Sequence, residues 1–151
     1  MGSASSTSPQ RISARILLVD DNRMGLMARK SVLEELGCRI KTIGAAAEAL
    51  EWLGRESCDL VITDYRMPGV KGAEFIGRIR ELKPSLGVIL ISGFTDSLGL
   101  NEKNTGADVV IQKSSHEVAH MIRAVRSLLR DRRRKKPPTS EEPPGGRRKR
   151  A

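Results

Sequence analysis

Four short apolar runs constrain this chain more than any other feature. They are "RILLVD" (Arg15 to Asp20), "LVIT" (Leu60 to Thr63), "GVILIS" (Gly87 to Ser92) and "DVVIQ" (Asp108 to Gln112). Each is nearly continuous instead of alternating, which fits a strand buried on both faces of a sheet. None approaches the ~20 apolar residues needed to span a bilayer. A fifth segment, "CRIKTI" (Cys38 to Ile43), alternates, with Arg39 and Lys41 facing away from Ile40. That pattern predicts an edge strand whose charges discourage pairing with another sheet.

Helical stripes separate the runs. Met24, Met27, Ala28, Val32, Leu33 and Leu36 mark one, ended by Gly37. Ala46, Ala49, Leu50 and Leu53 mark a second, ended by Gly54, and Phe75, Ile76, Ile79 and Leu82 a third, ended before Pro84. A last helix is expected from about Ser115 to Arg130, with Val118, Ile122, Val125 and Leu129 on one side. Met24, Met27 and Met121 read as core, and Trp52 as a half-exposed helix residue. Between Asp96 and Ala107 the large apolar residues Leu98 and Leu100 lie two apart, the wrong spacing for a helical face, and Gly99, Asn101 and Asn104 intervene. A short or distorted helix is expected there. Five strands thus alternate with five helices, which predicts an α/β fold: an open parallel sheet with helices on both faces, three layers α/β/α. The first strand runs into "DDNRMG", not into a G-x-G-x-x-G loop, and no GK[ST] occurs, so dinucleotide and P-loop readings lose support.

A chain of 151 residues suits one domain, and with 3% aromatics its core must be aliphatic. Residues 1–13 are small and polar and are expected to be disordered, residues 14–130 form the domain, and residues 131–151 read as a disordered Pro/Gly-rich basic tail. Of the net charge of +9, the stretch from Arg130 to Ala151 carries +7 (ten basic, three acidic residues) and the remainder +2, so the high pI belongs to the tail. Cys38 and Cys58 form no CxxC and read as packing residues. The N-terminus lacks an apolar signal core, so a cytoplasmic protein is expected.

Sites in parallel α/β sheets form at the carboxyl ends of strands. Here the first strand ends in Asp20 and Asp21, the third in Asp64, the fourth in Ser92 and the fifth in Lys113. Clustered carboxylates repel, and a hard divalent cation relieves that repulsion; all-oxygen ligands favour Mg²⁺ (or Mn²⁺). A carboxylate also serves as a nucleophile toward phosphorus. Asp64, central and single, is placed to attack; Asp20 and Asp21 hold the metal, with the backbone carbonyl near Arg66 as a further ligand. Lys113 supplies a positive charge to phosphoryl oxygens and Ser92 a hydroxyl. Blander roles exist for each residue alone. Asp20 or Asp21 makes a good helix N-cap, Asp64 a turn with its own backbone, Lys113 a surface charge. Together they require four strand ends to carry complementary groups by accident.

The pieces "LLVDDN" (17–22), "DLVITDYRMPG" (59–69), "VILISGF" (88–94), "GAD" (106–108) and "QKS" (112–114) resemble, in that order, a bacterial two-component response regulator receiver domain of the single-domain, CheY-like form. The resemblance covers residues 14 to about 130. It implies a flavodoxin-like (βα)5 fold with strand order 2-1-3-4-5. It also implies phosphoryl transfer to Asp64 from a histidine kinase or histidine phosphotransfer protein, with Asp20 and Asp21 as metal ligands and Ser92 and Lys113 sensing the phosphate. Mg²⁺-dependent self-phosphorylation, slow autodephosphorylation and no independent metabolic activity belong to the same implication.

Two positions depart from the family pattern. Ser114 stands where proline usually follows the lysine through a cis bond, and a cis bond before a non-proline residue costs ~2.5–4 kcal/mol. Val110, three residues before the lysine, stands at the aromatic switch position and has no ring to rotate. Both, with the glycine- and asparagine-rich stretch at 99–104, touch one face, which puts the usual output surface in doubt.

A stand-alone receiver or a fragment is expected, monomeric or weakly dimeric, acting by changed binding to a downstream protein. The clusters "RDRRRKK" (130–136) and "RRKR" (147–150) fit nucleic acid, an anionic membrane surface, an acidic protein or a solubilising tail. A phosphorylation-independent interaction module with the receiver fold is the alternative. A phosphatase using Asp64 is disfavoured because Arg66, not an acid, stands two residues on.

Overall fold

A computed structural model describes residues 11–67, 69–93 and 99–135. In chain order they form β1 (Arg15–Val19), α1 (Arg23–Glu35), β2 (Arg39–Ile43), α2 (Ala46–Arg55), β3 (Leu60–Asp64), α3 (Gly72–Leu82), β4 (Gly87–Ser92), α4 (Glu102–Thr105), β5 (Val109–Gln112) and α5 (Glu117–Lys135). All strand pairs are parallel, in the order β2-β1-β3-β4-β5. The architecture is the expected flavodoxin-like (βα)5 sheet.

Alternation along the central strands explains their unbroken apolar composition. Leu17 and Val19 of β1 pack with Val61, Val88 and Leu90 under α2 and α3, through Ala49, Trp52, Leu53, Phe75 and Ile79. Ile16 and Leu18 point the other way, with Ile62, Ile89 and Ile91, onto α1 and α5 through Leu26, Leu33, Met121 and Val125. β2 lies at one edge, with Arg39 and Lys41 exposed as expected. Because the chain turns to β2 and then crosses back to β3, the carboxyl ends of β1 and β3 flank the point where strand order reverses, the usual place for a site.

Several expectations need correction. Met24 and Met27 are not core: they are 82% and 51% exposed, and the inward residues of α1 are Leu26, Arg29 and Leu33. Asn22 caps the helix, accepting bonds from the Met24 and Gly25 amides, and α1 meets the sheet along Leu26, Arg29 and Leu33, which leaves both methionines outside. An arginine on the inward line hides that phase from a count of apolar residues. Val118 and Leu82, near helix ends, are exposed as well, whereas Met121 is fully buried. Trp52 is buried, not half-exposed, and the Arg15 guanidinium lies 5.0 Å from its ring centroid. Cys38 is buried and Cys58 half-buried, both free thiols.

Packed or helical residues also lie on either side of residues 14–130. Ile12, assigned to the leader, is buried and its amide donates to the Leu36 carbonyl at 2.7 Å. α5 continues to Lys135, because Arg and Lys are good helix formers and no proline intervenes before Pro137. The expected disorder of residues 1–10 and of the tail from 136 falls outside the described residues. α4 is one turn, its Asn101 and Asn104 bonded reciprocally as a capping box. Residues 94–98 of that stretch, and Pro68, are also outside the described residues.

Candidate functional site

Asp20 immediately follows β1, Asp64 ends β3 and Ser92 ends β4; all three are buried, although two of them are carboxylates. Asp21 is exposed. One carboxylate oxygen from each of Asp20, Asp21 and Asp64 lies within 4.8 Å of the others. Lys113, just beyond β5, brings Nζ to 2.9 Å from Asp64 Oδ1, and its amide donates to the Ser92 carbonyl at 2.9 Å. The sheet therefore gathers side chains from four strand ends onto one rim. Parallel pairing does this without local sequence proximity.

Burial pushes the Asp64 carboxyl above its ordinary value; the Lys113 hydrogen bond works in the opposite direction, and Asp20 adds to the rise. The capping role open to Asp20 and Asp21 is taken by Asn22. Asp20 Oδ1 instead accepts the Asn22 amide at 2.9 Å, while Oδ2 accepts Arg29 Nη1 at 2.9 Å.

Other predicted residues fall around this centre. Ser92 is buried beside Lys113's backbone. Arg66 is exposed two residues beyond β3. Val110, on β5, is half-buried against the core beneath α2 and α3, and its amide donates to Glu102 Oε2 at 3.0 Å. The Lys113–Ser114 peptide is trans. Ser114 opens the turn that leads into α5: its Oγ accepts the His116 amide at 3.1 Å and its carbonyl accepts the Glu117 amide at 3.2 Å.

Sequence reasoning missed Arg29 and Glu117. Arg29 is 7% exposed and its guanidinium bridges Asp20 to Glu117 Oε2, at 2.9 Å from each. The available signal was the spacing Leu26, Arg29, Leu33, hidden by the competing apolar line of Met24 and Met27.

The donor set of three carboxylates is all oxygen and suits a hard divalent cation better than a thiophilic one. Arg29 and Lys113 face four carboxylates, the three of the cluster and Glu117, so a formal balance of −2 remains. The residues present therefore fit Mg²⁺ or Mn²⁺.

Comparison with known proteins agrees with this geometry. A model of the response regulator receiver domain matches residues 16–126. The chain is 39% identical over 93 residues to the hydrogenase transcriptional regulatory protein HoxA of Cupriavidus necator, covering 59% of this chain and 19% of that protein. It is 36% identical over 103 residues to the virulence sensor protein BvgS of Bordetella pertussis, covering 66% of this chain and 8% of that one. The chain thus spans a fifth or less of these relatives. The Thermotoga maritima response regulator TrrA, solved in complex with Mg²⁺-BeF, superposes with a TM-score of 0.67 at 34% identity, over 76% of this chain and 97% of that one. A CheY-like receiver domain protein of Methanospirillum hungatei shares the fold, with a TM-score of 0.72 at 24% identity, over 85% of this chain and all of that one.

Proposed function

Because this chain belongs to the response regulator receiver domain family, we propose that it is a phospho-acceptor whose Asp64 takes a phosphoryl group from a phosphorylated histidine of a kinase or phosphotransfer protein. The observation that carries this reading is Lys113 Nζ at 2.9 Å from the carboxylate of Asp64, inside a cluster of three acids. Asp20, Asp21 and Asp64, with the Arg66 carbonyl, would hold Mg²⁺ or Mn²⁺, which when bound offsets the charge of the carboxylates and of the phosphoryl oxygens.

In the transfer, an Asp64 carboxylate oxygen forms a bond to phosphorus as the donor's P–N bond breaks. The electron pair of that bond stays on the imidazole, and an acyl phosphate is left on Asp64. Lys113 exchanges its carboxylate partner for a phosphoryl oxygen and so carries charge stabilisation through the step. The Ser92 hydroxyl, at the end of β4, donates to another phosphoryl oxygen. Slow loss of the acyl phosphate to water resets the protein.

Incubation with Mg²⁺ and a small acyl-phosphate donor, read by intact mass, tests this. The expected result is one added phosphoryl group on the wild type and none on Asp64→Asn. A wild type left unmodified at saturating donor overturns the reading.

A second reading has its own support. Val110 has no ring to swing, and α4 is a single turn, so the face that includes β5 and α4 lacks the usual aromatic switch. On this reading the fold binds a protein partner irrespective of phosphorylation, and the basic residues beyond Arg130 contact nucleic acid or another anion. It predicts equal partner affinity for wild type and Asp64→Asn. We place the protein in the cytoplasm as a monomer or weak dimer; among the described residues no helix is long and apolar enough to cross a membrane.

A further inference from the structure

We propose that Arg29 is a positioning residue of the acidic site: its guanidinium fixes Asp20, lowers the site's affinity for a divalent cation, and makes that affinity depend on Glu117 of α5. The inference rests on the reading of Asp20, Asp21 and Asp64 as a cation site.

Burying an arginine is costly unless every charge around it is matched. Here the match comes from two sides. Nη1 donates to Asp20 Oδ2 at 2.9 Å, while Nε and Nη2 donate to Glu117 Oε2 at 3.1 and 2.9 Å. The guanidinium is thus shared between a carboxylate of the site and one at the start of the last helix. Burial works against its charge, but the hydrogen bonds to Asp20 and Glu117 outweigh that effect and hold Arg29 above its ordinary value.

The backbone is shaped to admit this contact. A Cβ at Gly25, one turn before Arg29, would stand 3.3 Å from Asp20 Oδ2 and 3.5 Å from Arg29 Nη1. A side chain there would slightly crowd Asp20 and sit in ordinary contact with Arg29, so glycine eases the arginine's approach to the acid.

The consequence for a cation follows from charge and lone pairs. Asp20 Oδ1 already accepts the Asn22 amide and Oδ2 the guanidinium, so a cation drawn to Asp20 competes with a fixed positive group. Glu117 offsets part of that positive charge. Removing Arg29 should therefore tighten cation binding, and removing the Glu117 charge should weaken it. A purely architectural ion pair would lower stability in both variants and leave affinity alone.

The test is calorimetric titration of MgCl₂ into the full chain as wild type, Arg29→Met, Arg29→Lys and Glu117→Gln, with thermal melts in EDTA to confirm folding. Arg29→Met should bind Mg²⁺ more tightly, on the order of tenfold, as expected for removing a unit charge at close range in a partly buried site. Arg29→Lys should stay near wild type, and Glu117→Gln should bind more weakly. If Arg29→Met does not fold, Glu117→Gln decides: weaker binding supports the inference and unchanged binding overturns it. Wild type and Arg29→Met binding equally well overturns the role of Arg29 while leaving the cation site intact. No Mg²⁺ binding by wild type or any variant overturns both.

Discussion

Lys113 Nζ and Asp64 Oδ1 stand 2.9 Å apart, a pair made by the ends of two strands that do not touch, with β4 between them. The lysine is the near positive charge on the proposed acceptor and pulls down a carboxyl pKa that burial raises. Lys113→Ala should keep the fold, since the side chain is partly exposed, but slow phosphoryl acceptance on the order of 100-fold, as for loss of a charge-stabilising donor. A time course of intact mass with a small acyl-phosphate donor checks it; a rate equal to wild type would remove Lys113 from the mechanism.

Asp64→Asn should make the metal-free protein more stable at neutral pH. The folded-state pKa of Asp64 is raised above 3.8, chiefly by burial. A raised carboxyl pKa contributes stability that is present below the unfolded value and lost as pH rises through the folded one. The advantage of the asparagine variant should therefore vanish near pH 3 and grow as pH climbs past that window. Melting curves in EDTA across pH measure it, and Mg²⁺ should narrow the gap by stabilising the wild type more than the variant.

Gly72→Ala should destabilise and disturb the approach to the site. A Cβ at Gly72 would lie 2.5 Å from Tyr65 Cδ1 and 2.9 Å from the Tyr65 carbonyl oxygen, with backbone on one side and Asp64 next in the chain. Overpacking of this kind costs typically ~1–3 kcal/mol. Urea denaturation gives the number; a neutral result would mean that α3 shifts freely against Tyr65.

Met24 and Leu33 lie on one expected stripe of α1 but end up on opposite sides of the surface. Leu33 is fully buried, so Leu33→Ala should cost roughly 2–5 kcal/mol. Met24 is 82% exposed, so Met24→Gln should stay within about 0.5 kcal/mol of wild type. Paired chemical denaturation of the two variants decides; a large loss at Met24 would place it inside.

Much of the fold was readable because a strand covered on both faces has no polar side to show. The runs at Arg15, Leu60, Gly87 and Asp108 could be little else at that length, and the charged alternation of Arg39 and Lys41 marked an edge. The helix phases were less readable. In α1 an inward arginine broke the apolar line, and two exposed methionines supplied a false one. Trp52 read as half-exposed since nothing local told that Arg15 would lie over its ring. Acids of identical chemistry also took different work at the amino and carboxyl ends of the strands. Asp59 and Asp108, before β3 and β5, accept the backbone amides of Arg15 and Val88, whereas Asp20 and Asp64 come together at the carboxyl ends of β1 and β3.

The sequence by itself determined which segments become strands and which acids, hydroxyl and lysine stand at strand ends, because burial on two faces and the end of a run are properties of neighbouring residues. Only the tertiary structure decided that Arg29 would turn inward and share its charge between Asp20 and Glu117, and that Gly25 would make room for it. A desolvated charge is tolerated only where partners from distant segments converge on it, and convergence is a property of the packed sheet and helices, not of spacing along the chain.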